Sequence, residues 1–132
     1  MVKIIAIIPA RSGSKRIKDR NIKKYKGTPL LSHSIKHSLK SKYIQRTIVS
    51  TDSKKYAKIA IKYGAEVPFL RPKKISKDRS TDLECFIHCL NFLKDKENYI
   101  PDIIVHLRPT YPIREKNLID NCIKLLIKKN TF

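Results

Sequence analysis

Arg11, Lys15 and Arg16 stand among the small residues Ser12, Gly13 and Ser14, directly after the apolar run Ile4-Ile5-Ala6-Ile7-Ile8-Pro9. Cations beside small residues at the end of a strand suit a bound polyphosphate. An arginine can pair fork-like with phosphate oxygens, and a lysine offers a mobile point charge. Small residues let the backbone turn tightly and present N–H groups to an anion. The same residues also suit a basic surface loop after an edge strand. The common phosphate loops are excluded by spacing, because G-x-x-x-x-G-K-[ST] and G-x-G-x-x-G both need a second glycine that this segment lacks.

Other residues that could do chemistry are less pointed. Cys85 and Cys89 lie four apart on an expected helix and read as buried free thiols; with Cys122 they make an odd set without C-x-x-C spacing. His33 and His37 share that spacing but have no acidic neighbour to complete a zinc site, so a packed or solvated role is expected.

The elements that must position the loop follow from periodicity. Ile4 to Ile8 is β-branched and apolar throughout, the pattern of a strand covered on both faces, and Pro9 ends it. Thr28 is expected to cap a helix with Pro29 at its first position and an apolar stripe running from Leu30 to Leu39. Thr47-Ile48-Val49 is a second strand, ending in the turn Ser50-Thr51-Asp52. Asp52 or Ser53 caps the next helix, where Tyr56, Ile59, Ala60 and Tyr63 recur before the stop at Gly64. Glu66 to Leu70 reads as a weak strand. Thr81-x-x-Glu84 forms a capping box that opens a helix through Leu93. Asp102 to Leu107 is a further buried strand. A last helix, from Glu115 to Lys128, carries Leu118, Ile119, Cys122, Ile123, Leu126 and Ile127 on one side. Strands alternating with helices predict βαβ units around a parallel sheet, with the site at the loops after the strand ends.

On these residues the chain resembles the acylneuraminate cytidylyltransferases, the CMP-sialic acid synthetase family. Pro9-Ala10-Arg11-Ser12-Gly13-Ser14-Lys15 is similar to that family's P-A-R-x-G-S-K, and Arg20-Asn21-Ile22 to its basic residue and Asn followed by an apolar residue. The resemblance runs along the whole chain, while the family's domain is longer. It implies a three-layer αβα Rossmann-like nucleotidyltransferase fold with a mostly parallel sheet. It also implies that residues 1–132 are a single domain, the N-terminal CTP-binding part, C-terminally incomplete. The implied reaction transfers CMP from CTP to an acidic nonulosonic sugar and releases pyrophosphate, with Mg2+ bridging phosphates. The implied partners are CTP and a nine-carbon acidic sugar, with a homodimer only in the full-length form. The family's metal-binding aspartates are expected beyond Phe132, and no metal ligand within this chain.

The resemblance carries over site residues one by one. Arg11 and Lys15 are the catalytic pair, holding the triphosphate together with Ala10, Gly13 and Ser14. Arg20 stands where the family often has Lys among the nucleotide-binding residues, Asn21 falls near the ribose, Arg71 beside the cytosine, and Ser80, Thr81 and Asp82 on the small polar stretch that lines the same pocket. Asp52, in the match to V-S-T-D, is expected to cap a helix and organise the loop rather than bind metal. Arg108, Thr110 and Tyr111 take the sugar side. There the chain departs from Q-P-T-S-P-L-R, because Arg108 replaces an amide by a cation and Tyr111 a small hydroxyl by a bulky one. The sister class that activates an eight-carbon acid typically shows Tyr-Ala-Ser-Thr-Arg where this chain has Ser12 to Arg16, which counts against it.

The formal charge is +19, from 30 Lys and Arg against 11 Asp and Glu. Such a balance invites a nucleic-acid reading. The cations are mostly Lys and lie in every segment rather than in one stripe, so nucleic acid is not the expected partner. A non-catalytic nucleotide- or polyanion-binding module is the competing reading. The apolar N-terminal run is too short, and its following loop too charged, for a secretory signal. No run approaches a membrane span, so a cytoplasmic protein is expected.

Overall fold

A computed structural model describes residues 2–14 and 16–129. In chain order its elements are β1 (Ile4–Pro9), β2 (Lys24–Tyr25), β3 (Thr28–Pro29), α1 (Leu30–Lys40), β4 (Arg46–Ser50), α2 (Lys54–Lys62), α3 (Asp82–Glu97), β5 (Ile103–His106) and α4 (Leu118–Lys129). Single 3-10 turns occupy Arg20–Ile22 and Lys73–Ile75.

The main sheet has the order β4-β1-β5, and both pairings are parallel. β1 is therefore the central strand, which explains its composition. A strand with neighbours on both edges and helices on both faces has no position that tolerates a polar side chain. Ile5, Ala6, Ile7 and Ile8 are completely buried. Alternate residues split between two layers. Ile5 and Ile7, with Ile48, pack against Cys85, Cys89 and Leu93 of α3. Ala6 and Ile8, with Val49, pack against Leu31 and Ile35 of α1 and Ala60 of α2. Ile4 and Ile103 meet Ile123 of α4 on the second side. The result is helix, parallel sheet, helix, as expected.

Local departures have local causes. Thr28 does not cap α1. It pairs with Tyr25 in a small antiparallel hairpin, and Pro29 takes the cap position instead. The hairpin turn is Lys26-Gly27, with φ of +50° and +82°, the left-handed pair that a two-residue hairpin requires. The stretch from Glu66 to Leu70 is not a strand. One parallel bridge, Ile48 to Glu66, is all the pairing it makes. The last helix begins at Leu118 rather than Glu115. Only Ile123 of its expected apolar side is buried. Ile119 and Ile127 are partly covered, while Cys122, Leu118 and Leu126 are exposed.

Two expectations hold in atomic detail. Thr81 caps α3 in a full capping box, its Oγ1 accepting from the Glu84 N–H at 3.1 Å and Glu84 Oε1 accepting from the Thr81 N–H at 2.9 Å. Cys85 and Cys89 are buried free thiols. The His33 Nε2 lies 2.8 Å from the Tyr25 carbonyl and 2.9 Å from Thr28 Oγ1, so the ring packs on the small hairpin.

Candidate active site

Parallel strands deliver their C-terminal ends to one side of the sheet, where the connecting loops leave a crevice. Here that crevice is lined by Pro9 and Arg11 after β1, Arg20 and Asn21 of the 3-10 turn, Arg71, Ser80, Thr81 and Asp82 before and at the start of α3, and His106, Arg108, Pro109 and Thr110 at the end of β5. Residues from positions 9 to 110 thus meet at one edge because three strands end there.

The loop after β1 is tied down by Asp52. Its Oδ1 accepts from the Ser12 N–H and its Oδ2 from the Ser12 hydroxyl, both at 2.8 Å. Ser53, not Asp52, caps α2, accepting from the Tyr56 N–H at 3.2 Å. Asp52 is therefore the loop organiser alone. The Ser12 N–H is consumed by it, and the Ala10 N–H by the Ser50 carbonyl at 2.8 Å. Neither of these two amides is therefore open to a ligand. Gly13 is not in the left-handed region, and a Cβ there would meet only Arg11 Nη1, at an ordinary 3.5 Å. Its smallness is not sterically required in this conformation.

Arg11 donates from Nη1 to the Gly13 carbonyl, and its Nη2 lies 3.0 Å from Asp78 Oδ1. The arginine is thus preset over the loop and paired with a carboxylate. Asp19, with φ of +53°, accepts from the Tyr56 hydroxyl at 2.7 Å and anchors the far end of the loop. Asn21 donates from Nδ2 to the Arg11 carbonyl at 3.0 Å. Its Oδ1 and the Nε of Arg20 are buried without a hydrogen-bond partner among the described residues.

Arg71 is almost fully buried. Its Nε donates to Ser50 Oγ at 3.0 Å and its Nη2 to the Ser50 carbonyl at 2.8 Å. Its own N–H bonds the Thr51 carbonyl at 2.7 Å. The guanidinium is held rigidly at the floor of the crevice by the turn after β4. Ser80 Oγ accepts from the Lys77 N–H at 2.9 Å, so it braces the loop that precedes α3.

The loop after β5 is clamped from behind. Arg114 donates to Ser34 Oγ (3.1 Å), to the Tyr111 carbonyl (3.0 Å) and, through Nη2, to the Arg108 carbonyl (3.2 Å). Its Nη1 also lies 2.7 Å from His37 Nδ1, which must accept and is therefore the neutral tautomer's lone-pair nitrogen. Burial, then Arg114 itself, hold the His37 pKa below its ordinary value, in keeping with that role.

Of the residues singled out in the sequence, the crevice brings together Arg11, Arg20, Asn21, Arg71, Ser80, Thr81, Arg108 and Thr110. Ala10 is buried beneath it, and Gly13, Ser14 and Tyr111 are not among its lining residues. Tyr111 is exposed, with the Arg108 guanidinium 5.9 Å from its ring centre. Lys15 lies outside the described residues. Sequence reasoning missed His106 and gave Asp82 no separate role. Both line the crevice, and the signal available was their position at a strand end and a helix start.

The fold is shared with solved proteins. A CMP:2-keto-3-deoxy-manno-octonic acid synthetase complexed with CTP superposes with a TM-score of 0.79 at 16% identity, over 96% of this chain and 48% of that one. A cytidylyltransferase from Leptospira borgpetersenii gives 0.74 at 24%, over 98% and 51%. The architecture is that of the Rossmann-like nucleotidyltransferases. Residues 5–131 match the family model for cytidylyltransferases, and the chain belongs to that family. Among curated relatives, a CMP-N,N'-diacetyllegionaminic acid synthase of Legionella pneumophila is 35% identical over 94% of this chain and 53% of its own length. A pseudaminic acid cytidylyltransferase of Campylobacter jejuni is 33% identical over 98% and 56%. An N-acylneuraminate cytidylyltransferase of Escherichia coli is 39% identical over 93% and 28%. The chain thus spans about half the length of the first two and a smaller share of the third.

Proposed function

We propose that residues 1–132 form the N-terminal, CTP-binding part of a cytidylyltransferase that transfers CMP from CTP to an acidic nonulosonic sugar and releases pyrophosphate. The observation that carries this reading is the convergence of Arg11, Arg20, Arg71 and Arg108 on one crevice that also holds two orphaned buried polar atoms. A buried unsatisfied polar atom costs about 1–3 kcal/mol. A nucleotide supplies what each lacks: phosphate oxygens accept from Arg20 Nε, and a ribose hydroxyl donates to Asn21 Oδ1.

In this reading Arg11 and Lys15 neutralise the triphosphate, with Ala10, Gly13 and Ser14 forming the loop around it. Arg71, Ser80 and Thr81 meet the base. Arg108, Thr110 and Tyr111 receive the sugar, whose carboxylate suits a cation at Arg108. The sugar hydroxyl attacks the α-phosphorus while the bond to pyrophosphate breaks. Positioning and charge neutralisation are the main tasks left to the protein in such a displacement.

Among the described residues no cluster of His, Cys, Asp and Glu could hold a metal ion. No group of three or more such ligands stands among them to build a metal site without the nucleotide. Magnesium enters the reading as an ion carried by the triphosphate, with which it keeps several waters. No helix among the described residues is long and apolar enough to cross a membrane. The cytoplasm, where CTP is made, is the compartment this reading requires.

Calorimetric titration with CTP, UTP and ATP, followed by pyrophosphate release with CTP, magnesium and a panel of nonulosonic acids, tests it. Preferential CTP binding with sugar-dependent release supports the proposal. Absence of CTP binding sinks it, and CTP binding with no release even from a chain extended to the length of its relatives leaves only the non-catalytic module.

A further inference from the structure

The reaction proposed above needs a proton acceptor, because a sugar hydroxyl attacks phosphorus only as it loses its proton. The crevice is poor in candidates. Its arginines stay protonated at any working pH, and its Ser, Thr and Asn side chains are not bases near neutrality. Asp82 and His106 are the two lining residues that can accept a proton there, and they face each other. His106 Nε2 lies 3.5 Å from Asp82 Oδ2.

Both groups sit on rigid elements. His106 is the last residue of β5, opposite Ile7 in the register with the central strand. The next residue's N–H bonds the Ile7 carbonyl at 3.2 Å, so the strand end is fixed where the side chain leaves it. The His106 ring stands edge-on to Phe86 of α3, with centroids 4.9 Å apart and planes at 77°. Asp82 is the first residue of α3, directly after the N-cap Thr81 and within the capping box, so the same helix supplies both the ring contact and the carboxylate. Neither residue belongs to the loop after β1; His106 stands two residues before Arg108, and Asp82 directly follows Ser80 and Thr81, so the pair joins the two sides of the crevice read above as sugar side and base side.

We infer that His106, oriented by Asp82, is the general base that takes the proton of the attacking sugar hydroxyl. The inference rests on the reading of the crevice as a cytidylyltransferase site. Nε2 is the ring nitrogen that faces the Asp82 carboxylate, at 3.5 Å, and Nδ1 is the nitrogen left to accept. The hydroxyl O–H bond breaks, its proton passes to the imidazole, and the oxygen's electron pair forms the bond to the α-phosphorus. The bond to the bridging oxygen breaks and pyrophosphate leaves with that electron pair. The imidazolium so formed is stabilised by the Asp82 carboxylate, the arrangement of a base held by a third group.

The charges around the ring agree with this role. Burial lowers the His106 pKa below its ordinary 6.5, Asp82 works against that, and Arg108 adds to the lowering. Arg11, Arg20 and Arg71, the other charged groups of the crevice, are all cationic. The ring is therefore neutral at pH 7 and available as a base. It is lost to protonation only on the acid side.

The test is sugar-dependent pyrophosphate release across pH 5 to 8, with CTP, magnesium and the responsive nonulosonic acid, for wild type, His106→Asn and Asp82→Asn. CTP binding by calorimetry serves as the check on folding. His106→Asn is expected to keep CTP affinity within about twofold. It should lose kcat by about 10²–10⁴-fold, the usual worth of a positioned base, and with it the acid limb of the kcat profile. Asp82→Asn should retain the limb but move it to lower pH, since the carboxylate that raises the His106 pKa is gone. If wild type turns over and His106→Asn keeps its rate and acid limb, the base assignment is overturned while the reading of the site stands. If His106→Asn also loses CTP binding, the comparison passes to His106→Gln, and a rate like wild type in that CTP-binding variant overturns it equally. Failure of wild type to bind CTP, or of the extended chain to release pyrophosphate, overturns the reading and the inference together.

Discussion

Arg11 Nη2 lies 3.0 Å from Asp78 Oδ1, so a carboxylate of the loop before α3 pairs with the guanidinium that opens the phosphate side of the crevice. In the proposed reading, an incoming triphosphate displaces that carboxylate. Both side chains are about a quarter exposed, so the pair falls in the range of surface ion pairs, at most about 1 kcal/mol. Asp78→Asn is expected to tighten CTP binding by up to about fivefold. Arg11→Ala should weaken it by about 1.5–3 kcal/mol, the worth of a charge-assisted hydrogen bond. Calorimetry on both variants decides; equal affinities in wild type and Arg11→Ala would remove Arg11 from the phosphate site.

Arg71 differs in kind, because its guanidinium serves the fold as well as the crevice. Arg71→Ala takes the Nε donor from the buried Ser50 hydroxyl and one of two donors from the Ser50 carbonyl, which keeps the Ala10 N–H. A loss of about 1–3 kcal/mol in stability is expected, together with a smaller preference for CTP over UTP and ATP. Arg71→Lys should recover neither fully, since an ammonium cannot reproduce the paired fork. Urea unfolding and a nucleotide competition assay read the two effects separately.

The Arg114 clamp predicts a one-sided kinetic defect. Arg114→Met removes every bond that ties the Arg108 and Tyr111 carbonyls to it, but touches nothing on the phosphate side. The KM for the acidic sugar should rise severalfold while CTP affinity stays within about twofold. A proportionate loss of CTP affinity would show instead that the loop after β5 shapes the whole crevice.

Three histidines set the acid behaviour. The pKa values of His37, His88 and His106 are all lowered in the folded protein, in each case chiefly by burial. A depressed folded pKa means that the unfolded chain binds protons more readily. Stability is complete above the unfolded value near 6.5 and falls as pH drops below it toward the folded values. Thermal unfolding at pH 7.5 and at 5.5 should show a lower midpoint at the acid pH, and His88→Phe should reduce the difference. A pH-independent midpoint over that range would contradict it.

Thiol reactivity offers an independent check on packing. Cys122 is exposed, whereas burial pushes the Cys85 thiol up and the Cys89 thiol up to about 12. Under native conditions a maleimide should label Cys122 rapidly and the other two only on unfolding. Rapid labelling of more than one thiol would mean that α3 is not seated on the sheet.

Much of this was legible before any coordinates. The all-apolar Ile4 to Ile8 called for a strand covered on both faces, though its central place in the order β4-β1-β5 came only with the fold, and Thr81 with Glu84 announced a helix start through chemistry contained within four residues. The pairing of small and cationic residues after Pro9 likewise marked the strand end where a crevice opens. What stayed hidden was set by partners far away in the chain. Whether Asp52 capped a helix or held Ser12 depended on the parallel pairing of β1 with β4, which brings two turns 40 residues apart into contact. The exposure of Cys122 and Leu126 depended on how much of α4 the edge strand β5 could cover. The meeting of Asp82 with His106 required α3 and β5 to end at one edge. Local propensity acts over a few residues and is written in their order, whereas these contacts arise only when the sheet closes the distance between segments.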